Sequence, residues 1–219
     1  MPAILFIPGF AASFEVWELQ VKEFSKDFQI IMPGQDMGLF DDVFIVGWSM
    51  GAFEAVRLYF KNKEKIKGLV LVSATPKFIK DTDYQFGISK AILKSLEKKI
   101  RHDFDEGIQY FYSLMFNGGE IHPIVKNLPM PNMEKTFSQL EELKNADIRD
   151  LSAQIEAPTL IIHGSEDKIC KPESAKYMNK IIKNSKIEMF DEIAHVPFLE
   201  NTDRFNSCLK GFISGQRKN

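Results

Sequence analysis

The chain has 219 residues, of which 44% are hydrophobic, and its formal net charge at pH 7 is -2. This length suits one globular domain with a sizeable core, and the balanced charge excludes a general attraction to nucleic acid or anionic membranes. No apolar run reaches the length of a membrane span. The apolar start, MPAILFIPGF, has no basic segment. We therefore expect no signal peptide, a cytoplasmic protein, and two free cysteines in a reducing compartment.

Apolar runs that end in turn residues alternate with helical patterns in the front part of the chain. The strands predicted there cover residues 3–7, 28–32, 43–46 and 68–73. The helices predicted between them cover residues 14–28, with Ser13 as an N-cap signal, and 52–61. The run GLVLVS, residues 68–73, is apolar almost throughout, which is typical of a strand buried on both faces.

The alternation stops near residue 77 and resumes after residue 153. The later strands are predicted at 159–163 and 186–190, and the later helices at 174–182 and 202–213. Such alternation predicts an α/β fold with a mostly parallel central sheet and helices on both faces. The interruption, 77–153, has helical periodicity without a good strand, so we predict a helical cap inserted into a single domain, 1–219.

The connection between the second and third predicted strands is unusually short. Only six residues separate Asp36 from Val43, whereas parallel strands normally need a dozen or more residues to cross over, usually as a helix. We therefore predict a bare return loop, a shortened N-terminal half and a thinly covered patch on the sheet.

The stretch FIVGWSMGAF, residues 44–53, carries Ser49 between a predicted strand and a predicted helix. Gly47 and Gly51 lie two positions to either side, where a sharp turn leaves no room for a side chain. In this context G-x-S-x-G is the nucleophile elbow, which exposes the serine hydroxyl for attack on an acyl carbon. The alternative is a glycine-rich turn whose serine caps the helix.

A nucleophilic serine needs a histidine base and an acid that orients the histidine. Asp167 follows the predicted strand TLII, at the edge of a parallel sheet where catalytic groups gather. Glu166 is the competing carboxylate. His195, in EIAHVPFLE, follows the last strand and completes the order serine, acid, histidine. We interpret His163 as structural.

The oxyanion of acyl transfer needs backbone N–H donors. One is predicted from Met50, the residue after the nucleophile, and the other from Phe10, in the turn after the first strand. The alternative is an ordinary strand-to-helix turn in which the Phe10 side chain lines the pocket without a role for its N–H.

Motifs along nearly the whole chain resemble the α/β-hydrolase superfamily: IPGFAASFEVW, GWSMG, GLVLVSATP, LPMP, APTLIIHGSEDKI and AHVPF. Within it, the chain resembles the BioH-type pimeloyl-[acyl-carrier-protein] methyl ester esterases of biotin synthesis. This likeness is carried by GWSMG, SATP, LPMP and ADIRDL. The chain departs from the pattern in three places: it lacks a first hairpin, it lacks the helix after the second strand, and Ala52 replaces a glycine. The short front half is also similar to the BioG-type esterases.

The resemblance implies hydrolysis of the methyl ester at the far end of a pimeloyl chain carried by acyl carrier protein. It implies oxyanion donors at Phe10 and Met50, which with Ser49 and His195 contact the substrate. It also implies an acyl channel lined by a cap segment: Phe111, Tyr112, Ser113, Leu114 and Met115. From the residues alone, that segment is a packed helix face.

One predicted cap helix carries a basic stripe at helical spacing, made of Lys90, Lys94, Lys98 and Arg101. The opposite face is predicted to be apolar, with Ile92, Leu93, Leu96 and Ile100. A basic stripe near a pocket steers an acidic acyl carrier protein. The alternative is a solvated helix face.

We therefore interpret the chain as a monomeric serine carboxylesterase that uses Ser49, His195 and Asp167 and needs no metal or organic cofactor. Its expected partner is the carrier-bound ester, with no nucleic acid and no membrane. Two rivals stay open. One is a short-chain carboxylesterase or thioesterase acting on a free small substrate, and the other is a non-catalytic protein that binds a small molecule.

Overall fold

A computed structural model describes residues 1–118 and 120–216. Six strands form one sheet in the order β2-β1-β3-β4-β5-β6, and every neighbouring pair is parallel. The strands are β1 (Ala3–Ile7), β2 (Gln29–Ile31), β3 (Val43–Trp48), β4 (Ile66–Val72), β5 (Thr159–Gly164) and β6 (Ser185–Phe190). The predicted α/β class is confirmed, because apolar runs separated by helices form parallel strands.

Helices lie between and after these strands. The front and rear helices are α1 (Glu18–Phe24), α2 (Gly51–Lys61), α8 (Pro172–Ile181), α9 (Pro197–Glu200) and α10 (Thr202–Gln216). The helix predicted at 14–28 begins as a 3-10 turn, Phe14–Trp17, and the Ser13 hydroxyl makes no capping hydrogen bond. In the described part of the chain, no helix combines the length and apolarity that crossing a membrane requires.

The sheet core is covered by helices on its two faces. Phe6 of β1 packs its ring against Trp17, with centroids 5.2 Å apart, and Phe44 of β3 packs against Phe212 of α10 at 6.3 Å. Successive residues of a strand point to opposite faces, so Gly47 faces the other side, towards α2. All six residues of β3 and all six of β5 are buried. The central strands therefore provide a rigid platform for the residues at their carboxyl ends.

Five helices lie between β4 and β5, and we refer to residues 77–153 as the cap. They are α3 (Lys90–His102), α4 (Phe104–Ser113), α5 (Pro123–Lys126), α6 (Met133–Asn145) and α7 (Arg149–Ala153). Four of them begin at a side chain that accepts a backbone N–H, which satisfies an otherwise unpaired helix donor. These N-caps are Ser89, Asp103, His122 and Asn132. Local sequence signals thus set the start of most cap helices.

The connection between β2 and β3 is not bare, which corrects the prediction. It contains a 3-10 turn, Met37–Leu39, whose start is capped by the Asp36 carboxylate. Such a turn needs only three residues and therefore fits where an α-helix does not. Leu39 of this turn is 78% exposed, and Leu5 and Ile7 of β1 are only half-buried. The thinly covered patch stays a prediction.

Candidate active site

Ser49 stands on a sharp turn between β3 and α2. Its φ angle is 54°, in the left-handed region that is unfavourable for a residue with a side chain. The turn is held because the Ser49 N–H donates to the Val72 carbonyl of the neighbouring strand at 2.8 Å. The strand β3 and its hydrogen bonding thus fix the strained residue at the carboxyl edge of the sheet.

The two flanking glycines are required by close backbone approach. A Cβ on Gly47 would lie 2.7 Å from the Gly51 carbonyl oxygen and 2.8 Å from the Ala55 Cβ. A Cβ on Gly51 would lie 2.6 Å from the carbonyl oxygens of Ile7 and Pro8. Because neither contact is tolerable, the G-x-S-x-G pattern follows directly from the packing of the turn.

Asp167 and His195 form a buried hydrogen-bonded pair. The Asp167 Oδ2 atom lies 2.7 Å from His195 Nδ1. Its Oδ1 atom accepts the N–H groups of Ile169 and Cys170, each at 2.9 Å. The competing carboxylate, Glu166, is exposed. The turn after β5 therefore orients Asp167, and not Glu166, towards the imidazole.

The backbone around His195 is held from several directions. Its carbonyl oxygen accepts the indole N–H of Trp48 at 2.9 Å, and its N–H donates to the Met115 carbonyl at 3.0 Å. The Ala194 N–H donates to Glu200 Oε2 at 2.9 Å. Burial raises the pKa of Glu200, and backbone N–H groups that donate to the carboxylate oppose that rise. These contacts fix the imidazole beside the residue that precedes Ser49.

The second nitrogen of His195, Nε2, is buried and has no hydrogen-bond partner among the described residues. Among the described residues, no hydrogen bond joins His195 Nε2 to Ser49. In enzymes without bound substrate, catalytic hydrogen bonds are often long or poorly aligned. Because the carboxylate at Nδ1 selects the tautomer with its proton there, the Nε2 lone pair is available to accept a proton.

Cys170 borders the same site. Burial raises the pKa of its thiol, the Asp167 charge acts in the same direction, and a hydrogen bond from the neighbouring Ser49 side chain opposes them. The thiol therefore stays neutral at physiological pH. The sequence analysis did not predict that Cys170 contacts Ser49. Its position three residues after the acid was the available signal.

His163 is closer to the chemistry than the sequence predicted. Its Nε2 atom lies 2.7 Å from the Cys170 carbonyl oxygen and 3.3 Å from Asp167 Oδ2. Burial lowers the pKa of His163, so the ring is neutral at neutral pH. The residue braces the acid turn, and the signal for it was the spacing of four residues to Asp167 across a turn.

Two backbone donors are available near Ser49. In the part of the chain that the structure describes, neither the Phe10 N–H nor the Met50 N–H has a hydrogen-bond partner. Both residues are buried, and the Phe10 ring meets the Phe111 ring edge-on, with centroids 4.9 Å apart. Free, buried N–H groups on the two turns that flank a nucleophile are the donors that an oxyanion requires.

The residues of the cap segment predicted to line an acyl channel make different contacts. Phe111 and Leu114 line a cavity of about 280 Å³ that also includes Ile169, two residues after the acid. Tyr112 instead reaches the turn after β1, and the Ser113 hydroxyl bonds back to its own helix. Neither residue belongs to the lining of the 280 Å³ cavity in the described chain, because consecutive helical residues point about 100° apart. Their place in an acyl channel stays a prediction.

Met115, the last residue of that segment, is buried and contributes its carbonyl oxygen to the His195 N–H. It does not belong to the lining of the 280 Å³ cavity in the described chain. Its carbonyl therefore supports the backbone of His195, and its place in an acyl channel stays a prediction.

The predicted basic stripe consists of three exposed lysines and one arginine that forms an ion pair. Lys90, Lys94 and Lys98 are exposed. Arg101 lies 2.8 Å from Glu97, and its guanidinium lies over the Phe137 ring. The opposite face also differs from the prediction, because Ile92 is 58% exposed. It sits at the edge of the apolar face, where it lines the 280 Å³ cavity.

No group of three or more histidine, cysteine or acidic side chains that could hold a metal ion occurs in residues 1–118 and 120–216.

Solved structures share this architecture over almost the whole chain. An esterase from Exiguobacterium antarcticum superposes with a TM-score of 0.87 at 21% identity, covering 98% of this chain and 92% of that chain. A bromoperoxidase from Bacillus anthracis superposes with a TM-score of 0.84, also at 21% identity, covering 97% and 91%. At such identities the likeness establishes the fold, and the chain has the α/β-hydrolase fold.

Sequence comparison narrows the class. A pimeloyl-[acyl-carrier protein] methyl ester esterase from Nitrosospira multiformis is 31% identical over 172 residues, covering 75% of this chain and 65% of that protein. An esterase of the same name from Legionella pneumophila is 29% identical over 231 residues, covering 97% and 95%. No protein-family model matches. The chain is thus similar over most of its length to proteins named as pimeloyl-[acyl-carrier protein] methyl ester esterases.

Proposed function

We propose that the protein is a serine carboxylesterase that hydrolyses the methyl ester of a pimeloyl chain carried by acyl carrier protein. The observation that carries the proposal is the 2.7 Å contact between Asp167 and His195 beside the strained Ser49. The names of the sequence relatives support the substrate. This substrate would place the reaction in the cytoplasm.

In the acylation half, the Ser49 Oγ attacks the ester carbonyl carbon while His195 Nε2 takes the hydroxyl proton. The carbonyl oxygen becomes an oxyanion, which the N–H groups of Phe10 and Met50 stabilise. The intermediate then collapses. The bond from carbon to the methoxy oxygen breaks, and His195 donates its proton to that oxygen, so methanol leaves and an acyl-Ser49 ester remains.

In the deacylation half, a water molecule attacks the acyl-enzyme while His195 Nε2 takes one of its protons. The bond from carbon to the Ser49 Oγ breaks, and His195 returns the proton to that oxygen. The free carboxylic acid leaves, and Asp167 stays ionised throughout because it only orients the imidazole and stabilises its charged form.

The 280 Å³ cavity is the proposed place for the methylene chain. Its apolar lining includes Phe78, Ile88 and Leu93, and its exposed rim includes Ile92 and Leu114. Burying each methylene of a substrate chain in such a lining contributes about 0.8 kcal/mol. The cavity therefore suits an aliphatic acyl chain better than a charged or sugar-like one.

The test of the activity compares the wild-type enzyme with Ser49→Ala. We expect the wild type to hydrolyse carrier-bound pimeloyl methyl ester, to react with a fluorophosphonate probe, and to restore growth of a biotin auxotroph that lacks its esterase. Ser49→Ala should do none of these. A chain that is folded but unlabelled at neutral pH would instead be the non-catalytic binding protein.

Carrier docking is proposed at the three exposed lysines of α3. Replacing Lys90, Lys94 and Lys98 together by glutamate should lower kcat/KM on the carrier-bound ester by about 10- to 10³-fold, the range that electrostatic steering covers. Turnover of p-nitrophenyl acetate should be kept. The loss should shrink at high salt, because screening already weakens the wild-type attraction.

The matched control reverses the charge of three exposed lysines in and just after α8, outside the cap: Lys176, Lys180 and Lys183. This control should keep activity on both esters. Equal effects of the two triple variants would favour a second function, hydrolysis of a free short-chain ester. That function is favoured by one observation, the pairing of Arg101 with Glu97, which removes one charge from the stripe.

A further inference from the structure

The backbone of Ala11, next to the proposed oxyanion donor Phe10, is held on both sides by side chains of the cap. The Tyr112 hydroxyl of α4 donates to the Ala11 carbonyl oxygen at 2.6 Å, in a buried position. The Ala11 N–H donates to Gln139 Oε1 of α6 at 3.2 Å. Two cap helices thus bond to one residue of a turn that belongs to the sheet.

This turn needs outside support. Ala11 has a φ angle of 56°, a left-handed conformation that is unfavourable for a residue with a Cβ. The internal hydrogen bond of the turn, from Ala12 N–H to the Gly9 carbonyl, is long at 3.3 Å. The cap contacts are therefore a large part of what holds the turn in shape.

The Phe10 residue itself is fixed through its neighbours. Its ring packs against Phe111, and the peptide group that follows it is held by Gln139. The next peptide group is held by Tyr112. These contacts fix the ring of Phe10 and the two peptide groups that follow it, and with them the position of the Phe10 Cα, which is bonded to its N–H group.

We propose that Tyr112 and Gln139 are positioning residues that hold the Phe10 N–H in place for the oxyanion, so that the cap completes the oxyanion hole. This inference rests on the proposed function. Burial raises the pKa of Tyr112 to about 12, which keeps its hydroxyl a donor over the working pH range. A displaced cap would then lower the rate of chemistry as well as substrate binding.

The first test is Tyr112→Phe, which removes only the hydroxyl. We expect kcat on p-nitrophenyl acetate to fall about 10- to 10²-fold, since a 1 Å misplacement of a catalytic group costs up to ~10²-fold. KM should stay close to that of the wild type. Binding of an alkyl trifluoromethyl ketone, whose adduct with Ser49 carries an oxyanion, should weaken by the same factor as kcat/KM. The control is Tyr177→Phe.

The second test uses Gln139 of α6, which is half-buried, so we expect its variants to fold. Gln139→Leu removes the acceptor and should reproduce the loss in kcat. Gln139→Glu keeps an acceptor for the Ala11 N–H and should lose much less. A merely structural role would instead lower the melting temperature without separating these two variants in kcat.

The outcomes separate this inference from the proposed function. A wild-type enzyme that reacts with the ester, together with Tyr112→Phe and Gln139→Leu variants of wild-type kcat, overturns the inference alone. A wild-type enzyme no more active than Ser49→Ala overturns the function and the inference with it. Parallel losses in kcat and in ketone binding support both.

Discussion

The two sides of the candidate active site are built from different parts of the molecule. We refer to the described residues outside the cap as the body. The side of Asp167 and His195 is held mostly by the body: backbone N–H groups after β5, the indole of Trp48 and the carboxylate of Glu200. The cap adds one contact there, from the Met115 carbonyl. The turn of Phe10 and Ala11 is held mainly by the cap. The proposed proton relay therefore depends on the sheet, whereas the proposed oxyanion hole depends on the position of the cap.

The largest effect is expected from a substitution that changes only the Asp167–His195 side of the site. Asp167→Asn should lower kcat about 10⁴-fold, because an amide favours the wrong tautomer of the imidazole. Steady-state kinetics on p-nitrophenyl acetate and a thermal melt measure it. The matched control is Glu166→Gln, which changes the exposed neighbour and should keep wild-type kcat. A larger loss in the control would make Glu166 the acid.

A smaller effect is expected from removing the hydrogen bond that supports the backbone of His195. Trp48→Phe removes the donor to the His195 carbonyl and leaves that buried oxygen unpaired, which costs about 1–3 kcal/mol of unfolding free energy. We expect kcat to fall with the stability. Trp17→Phe is the control, because the Trp17 indole N–H has no partner among the described residues. If both variants lose the same activity, the Trp48 contact is not specific.

The smallest effect concerns pH. Because burial lowers the pKa of His163 in the folded protein, the unfolded chain binds more protons below the ordinary histidine pKa of about 6.5. Stability should therefore be complete above that pH and fall below it, by up to about 1.4 kcal/mol per pH unit. Melting temperatures measured between pH 7 and 5 should decline less steeply in His163→Gln. The exposed His102→Gln variant should keep the wild-type slope.

The sheet and the catalytic order could be predicted because their signals are local. An apolar run, a glycine-flanked serine and a carboxylate after the next apolar run each depend on a few neighbouring residues. The same reasoning found Asp167 and His195 as partners, since the ends of parallel strands meet at one edge. The short connection after β2 followed from chain length alone.

The cap contacts could not be predicted, because they join residues far apart in sequence. Gln139 and Ala11 are 128 positions apart, and nothing near Gln139 marks it as a partner of the first turn. Tyr112 was assigned to the acyl channel because the resemblance assigns the whole segment of residues 111–115 to it. Helix orientation decides which side chain faces which wall, and only tertiary packing fixes that orientation.

The placement of the cap between β4 and β5 divides the chemistry along the chain. Ser49 lies before that insertion, and Asp167 and His195 lie after it. A chain cut within the cap would yield two fragments, neither of which carries a complete relay. Ester turnover by a mixture of the two would then report reassembly of the sheet, which makes this molecule a natural scaffold for a split-enzyme sensor.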